Sequence, residues 1–251
     1  MPWTSHYSAL DAFFKSDVWN NAKLAAFDFD GVVGDTEPFQ MRAFKATAEQ
    51  HSPLSDLTIE FKSLVEEMIG KPEAKILSIL KERHQIPHDV DRLLDLRART
   101  YLENALENLD PNPFAARVWE QANKDGKRAV ILSNGRSEVL QRFNDTWGIS
   151  QYFSGMKTID LRRIPDKVDY LLSHAEKKGI KPEQIVLLED SPGTVAKAEK
   201  HGINAVFFTH ALNGDIVPET TGLVLPCINP RQPLNRPAAS QQKPRIAPAI
   251  N

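Results

Sequence analysis

The sequence predicts a doubly wound parallel α/β sheet with a small helical domain inserted into one of its βα connections. Three observations carry that expectation. Short apolar runs at 24–29, 128–133, 185–188 and 205–208 are rich in Val, Ile, Leu or Phe and show no clean polar alternation. Such runs suit strands buried on both faces of a parallel sheet. Helix-like segments separate the runs, and strands alternating with helices build βαβ units. Between the first two runs, residues 38–112 show helical periodicity and little strand signal, which is far too long for an ordinary loop.

Each element follows from its own residues. Near the N-terminus, "SALDAFFKSDVW" reads as an amphipathic helix laid on the core. The first run leads into "FDFDGVVGDTE". The insertion holds "PFQMRAFKATAEQ", "SDLTIEFKSLVEEMIG", "PEAKILSILKERHQ" and "HDVDRLLDLRARTYLENALENL", each with apolar residues at i, i+3, i+4 spacing. "PNPFAARVWEQANKDG" precedes the second run, and "SEVLQRFNDTWG" follows it and stops at Gly148. "DKVDYLLSHAEKKG" aligns Leu171, Leu172 and Ala175 on one face, with lysines in its last turn before Gly179. "SPGTVAKAEKHG" offers Ser191 as N-cap and Pro192 as first helical residue. The division is therefore a discontinuous α/β core at 1–37 and 113–225, with a helical cap at 38–112. From Pro226 the chain holds six prolines, four basic residues and no acidic one. That composition cannot repay its ordering entropy, so 226–251 reads as a disordered tail. A partner-binding or export segment is the other reading of it.

Composition narrows the function. The 251 residues are 41% apolar and 25% charged, as in soluble globular proteins. A net charge of −2 leaves no electrostatic footprint for nucleic acid. No apolar stretch approaches the ~20 residues of a membrane span. Cys227 is the only cysteine, so no disulfide forms within the chain and a cysteine-based zinc site is not expected. His84 and His88 are separated by Pro87, which breaks the helix an i, i+4 ligand pair needs. The N-terminus lacks the charged start and apolar core of a signal peptide. A cytoplasmic protein is expected.

The chemistry gathers at the ends of the strand-like runs. Asp28 and Asp30 lie two residues apart, so on a strand their carboxylates share a face. Like charges that close oppose each other's ionisation, and a divalent Mg²⁺, which takes hard oxygen ligands, would offset the repulsion. Gly31 then lets the chain turn. The second run ends at Ser133-Asn134-Gly135, the third at Glu189-Asp190-Ser191, and Lys167 opens the helix before that third run. Parallel strands bring such ends to one rim, where open α/β sheets bind ligands. Carboxylates holding a metal, a hydroxyl, backbone amides and a lysine suit a phosphoryl group.

With these three strand ends and one helix start in order, the sequence resembles the haloacid dehalogenase superfamily of phosphohydrolases. The likeness is greatest to members with a helical cap after the first strand, including the β-phosphoglucomutase-like branch. "DFDGVVGDTE", "ILSNG", Lys167 and "LLEDS" match its four motifs, over roughly residues 22–210. The resemblance implies a Rossmann-like core. It also implies Asp28 as nucleophile forming an aspartyl-phosphate, and Asp30 as the acid and base. Mg²⁺ would be held by Asp28, the Asp30 backbone carbonyl and Asp190, with Glu189 auxiliary. Ser133 and Lys167, with Asn134 and Gly135, would grip phosphoryl oxygens. Having both Asp30 and Asp190 argues for phosphate rather than carbon–halogen chemistry.

Some positions depart from the pattern. Many relatives with an "EDS" fourth motif carry Lys-Pro in the third, whereas this chain reads "RRIPDK". Lys167 fits the alternative arrangement, with Arg163 as the reserve cation. Gln40 stands where the mutase branch has histidine, which favours a phosphatase over a mutase. In the cap, Lys71, beside Gly70 in a turn, and Arg97 are candidate substrate contacts. The hinge is expected near Gly34–Pro38 and Asp110–Pro113, with closure excluding water. The expected activity is Mg²⁺-dependent hydrolysis of a small phosphorylated metabolite such as a sugar phosphate. A phosphomutase and a non-catalytic binding protein on the same fold are the alternatives.

Overall fold

The structure is a computed structural model that describes residues 3–68, 71–158, 166–210, 223–228 and 230. Along the chain, α1 (Trp3–Phe13) and α2 (Asp17–Asn21) precede β1 (Leu24–Phe27). Four helices follow: α3 (Glu37–His51), α4 (Phe61–Met68), α5 (Glu73–Arg83) and α6 (Val90–Asn108). Then come α7 (Pro113–Lys124), β2 (Arg128–Ser133), α8 (Ser137–Trp147) and β3 (Gly155–Thr158). The chain continues through α9 (Lys167–Glu176), β4 (Ile185–Glu189), α10 (Pro192–Lys200), β5 (Asn204–Thr209) and β6 (Leu223–Pro226). Among the described residues no helix is long and apolar enough to cross a membrane.

The apolar runs pair in parallel because both of their faces are buried. Strand order is β3-β2-β1-β4-β5-β6, all parallel. Successive side chains alternate between two cores. Ala25, Phe27, Ile131 and Leu188 face one side, with Phe114 and Val118 of α7 and Phe143 of α8. Leu24, Ala26, Leu132 and Leu187 face the other, with Val168, Leu171 and Ala175 of α9. The doubly wound α/β sheet with an inserted helical cap is therefore the observed fold. Register places Phe27 beside Ile131 on one flank and Leu188 on the other. The ends of β1, β2 and β4 thus meet at one rim.

The inserted helices close on a core of their own, including Met41 and Phe44 of α3, Leu64 and Met68 of α4, Leu77 of α5 and Leu93 of α6. Outgoing and returning chain segments are tied at their base. Asn112 donates its backbone N–H to Val33 O (2.8 Å) and its side-chain amide to Val32 O (2.9 Å). Above that joint, Phe29, Tyr101, Phe143 and Trp147 form a continuous aromatic contact between cap and core.

Several elements differ from the sequence expectation. β3 and β6 were not expected. β3 contains Gly155 and Lys157 and no apolar run, and β6 is four residues ending in proline; both lie at sheet edges, where such residues are tolerated. The expected N-terminal helix is two helices, because Ser16 accepts from Trp19 N–H (3.2 Å) and starts α2. The segment at 55–70 turns helical only at Phe61, where Glu60 accepts from Lys62 N–H (3.0 Å) and Ser63 N–H (2.5 Å). The expected tail begins too early at 226. Pro226 completes β6, and Cys227 and Ile228 are buried in the core, with Cys227 N–H donating to Thr209 O (2.6 Å). The rest of that segment, Pro230 excepted, lies outside the described residues.

Candidate active site

Asp28 directly follows β1 and extends its ladder, its N–H donating to Leu188 O at 2.9 Å. Its Oδ1 accepts from Phe29 N–H (2.7 Å), and its other oxygen pairs with the Lys167 ammonium. Gly31 then reverses the chain. Its φ is +71°, and a Cβ there would stand 2.2 Å from Asp190 Oδ2. Glycine is required on both counts. Asp30 Oδ1 accepts from Thr36 Oγ1 (2.6 Å) and from Gln40 Nε2 (2.7 Å).

The other strand ends supply the remaining groups. Ser133 is buried at the end of β2, and its Oγ accepts from Gly135 N–H (2.9 Å), which leaves its O–H to donate. A Cβ on Gly135 would lie 3.1 Å from that oxygen and 3.6 Å from Asp30 Oδ2, so this turn abuts the acid of β1. Asn134 is exposed between them. Lys167 is the first residue of α9, whose start is fixed by Asp166 accepting from Asp169 N–H (2.9 Å). Lys197 of α10 pairs with both aspartates, 2.8 Å from Asp169 Oδ1. Lys167 Nζ therefore reaches Glu189 Oε2 (2.9 Å) as well as Asp28.

Asp28 is 6% exposed, Lys167 5% and Glu189 fully buried. Three carboxylates, Asp28, Glu189 and Asp190, gather around this ammonium, each with an oxygen within 4.8 Å of the others. Burial first, and the Glu189 charge second, push Asp28 well above the usual carboxylate range against the pull of Lys167. Burial and Glu189 push Asp190 up likewise. Burial also presses Glu189 upward, but the Lys167 ammonium and its hydrogen bond outweigh this and hold it low. Burial opposes the charge on Lys167, yet Asp28 and Glu189 raise its pKa and keep it ionised. An excess of buried negative charge on hard oxygen donors is the environment a divalent cation neutralises, so these residues fit one.

The structure thus brings together Asp28, Asp30, Ser133, Gly135, Lys167, Glu189 and Asp190. Two cap candidates stand apart from the expectation. Arg97 is buried rather than offered to solvent, with Nη1 on Glu73 Oε1 (2.7 Å) and Nη2 on Gln40 Oε1 (2.7 Å). Its guanidinium lies over Phe44 at 4.5 Å and Tyr101 at 5.1 Å. It reaches Asp30 through Gln40. Lys71 is exposed and donates to Glu67 O within the cap. Arg163 and Gly70 lie outside the described residues.

Residues beyond the sequence expectation also converge here. His210, just past β5, holds Asp190 Oδ2 through Nε2 at 3.0 Å. Asp35 and Glu37 lie close by; burial raises them to about 6 and about 7, respectively, with His210 pulling both down. The signal for His210 was its position after an apolar run, since every parallel strand ends at this rim.

An acidic cluster at the carboxyl rim of a parallel sheet, under an inserted helical cap, is the build of the haloacid dehalogenase class. The chain belongs to the haloacid dehalogenase-like hydrolase family, whose model matches residues 25–208. It is 31% identical over 218 residues to the phosphorylated carbohydrates phosphatase of Thermotoga maritima, spanning 83% of this chain and 95% of that protein. It is 23% identical over 184 residues to the fructose-1-phosphate phosphatase YqaB of Escherichia coli, spanning 72% and 93%. In fold it is similar to CbbY from Rhodobacter sphaeroides, solved with phosphate, at a TM-score of 0.65 and 16% identity, covering 81% of this chain and 93% of that one.

Proposed function

We propose that this protein is a Mg²⁺-dependent phosphatase that hydrolyses small phosphomonoesters, sugar phosphates foremost, through an aspartyl-phosphate on Asp28. The observation that carries this reading is the pairing of Lys167 with both Asp28 and Glu189 beside Asp190. The names of the relatives, a phosphorylated carbohydrates phosphatase and a fructose-1-phosphate phosphatase, support the substrate class.

A cation bound by Asp28, Glu189, Asp190 and the Asp30 backbone carbonyl would supply charge neutralisation for the incoming phosphate. The Asp28 carboxylate attacks phosphorus and the ester P–O bond breaks. Asp30 gives its proton to the leaving oxygen. Burial raises Asp30 above its ordinary range, against the Thr36 hydrogen bond and the Lys167 charge, which suits it to hold that proton. In the second step Asp30 takes a proton from water as the water oxygen attacks the aspartyl-phosphate, releasing phosphate and restoring Asp28. Lys167, the Ser133 hydroxyl and the amides at Asn134 and Gly135 bind the phosphoryl oxygens. Substrate selection falls to the cap, where Lys71 is the exposed candidate and Arg97 acts through Gln40.

A panel of phosphomonoesters assayed for phosphate release, with Mg²⁺ and with EDTA, tests the reading. The expected result is metal-dependent release from sugar phosphates without a bisphosphate activator. Isomerisation dependent on a bisphosphate, without net phosphate release, would replace it with a phosphomutase. Absence of turnover across the panel despite Mg²⁺ binding would favour a binding protein.

A further inference from the structure

His210 is buried at the rim of the sheet, and the proposed chemistry gives it no role. The register pairs Glu189, the last residue of β4, with Phe207, so His210, three residues on, lies just beyond β5 and past the end of β4, on the side of Asp190. Its Nε2 lies 3.0 Å from Asp190 Oδ2. The same oxygen lies against the bare Cα of Gly31, where a Cβ would come within 2.2 Å. One carboxylate oxygen of Asp190 is thus held from two sides, by the turn after β1 and by the residue after β5. The charged groups acting on the imidazole from the cap connection are Glu37 and Asp35.

We infer that His210 is a positioning residue for the cation-binding carboxylate of Asp190, donating Nε2–H to Oδ2 and fixing the rotamer that faces Asp28 and Glu189. In the ionised form that binds a cation the Asp190 oxygen only accepts, so in that state the bond uses the Nε2–H tautomer. The bond restrains Asp190 beside two further carboxylates, whose charges oppose its own ionisation. Outer partners of ligating carboxylates typically tune metal affinity by about 10–100-fold. The inference rests on the proposed Mg²⁺ site, built from the ends of β1 and β4, and extends it to a third strand end, that of β5.

The test compares wild type with His210→Phe, which keeps a ring but no donor, and His210→Gln, whose Nε2 can replace the imidazole donor. Mg²⁺ affinity is read by calorimetry, with thermal melts in EDTA alongside. Wild type and His210→Gln should bind Mg²⁺ within about 3-fold of each other, and His210→Phe about 10–100-fold more weakly. Unchanged affinity in His210→Phe, or equal loss in the Gln and Phe variants, overturns the positioning role while leaving the cation site standing. Failure of the wild type to bind any divalent cation overturns both.

Discussion

Gln40 Nε2 donates to Asp30 Oδ1 over 2.7 Å, while Gln40 Oε1 accepts from Arg97 Nη2 over 2.7 Å. A guanidinium only donates, so Arg97 takes the amide oxygen and turns the amide nitrogen toward Asp30. A buried cap cation is thereby linked to the proposed acid of the core. Gln40→Ala removes one of the donors holding Asp30 and should lower kcat by about 10-fold, with KM little changed. Steady-state kinetics at saturating Mg²⁺ measure the split. A purely KM effect would assign Gln40 to ground-state binding instead.

Arg97 supports the cap more than it meets substrate. It is 3% exposed, whereas its partner Glu73 is 38% exposed at the side chain. Arg97→Ala abandons the Gln40 and Glu73 acceptors and the stacking on Phe44 and Tyr101. It should cost about 3 kcal/mol in urea unfolding. Arg97→Lys should recover only part of this, since one ammonium cannot reproduce the fork between two acceptors. A loss below about 1 kcal/mol in Arg97→Ala would contradict this supporting role.

Glu37 makes stability depend on pH. Burial, then the Asp30 charge, raises its pKa from 4.5 to about 7. The folded state therefore holds the proton more tightly, and the stability this group contributes falls as pH rises from 4.5 through about 7. Asp35, raised by burial to about 6, acts in the same direction. In EDTA, Glu37→Gln should be more stable than wild type at about pH 8, by on the order of 2 kcal/mol, and indistinguishable at about pH 4. Chemical denaturation at the two pH values measures this. A stability gain that is the same at both would place its origin elsewhere.

The parts of the fold that sequence made legible are those with strong local causes. The β1, β2 and β4 runs are apolar along their middles, and Asp28, Ser133, Glu189 and Asp190 lie at or just past their ends. β3 and β6 were illegible because edge strands are short and carry residues such as Gly155 and Pro226, which read as turn or tail. Arg97 drew attention as a cation. Its place in the buried stripe of Leu93, Tyr101 and Ala105 on α6 was the better guide. His210 had no motif around it. Its approach to Asp190 depends on β5 lying next to β4, a tertiary fact that local spacing does not contain. Gln40 could be read only as a missing histidine, because its two partners come from separate elements.

The central claim is that Asp28 carries the phosphoryl group between two half-reactions. The direct measurement is acid quenching of the enzyme during turnover of a sugar phosphate with Mg²⁺, followed by mass mapping of the modified peptide. A phosphoryl group on Asp28 in the wild type is predicted, together with a fall in activity of about 10³-fold or more in Asp28→Asn. Ordinary Mg²⁺-dependent phosphate release by Asp28→Asn would contradict it.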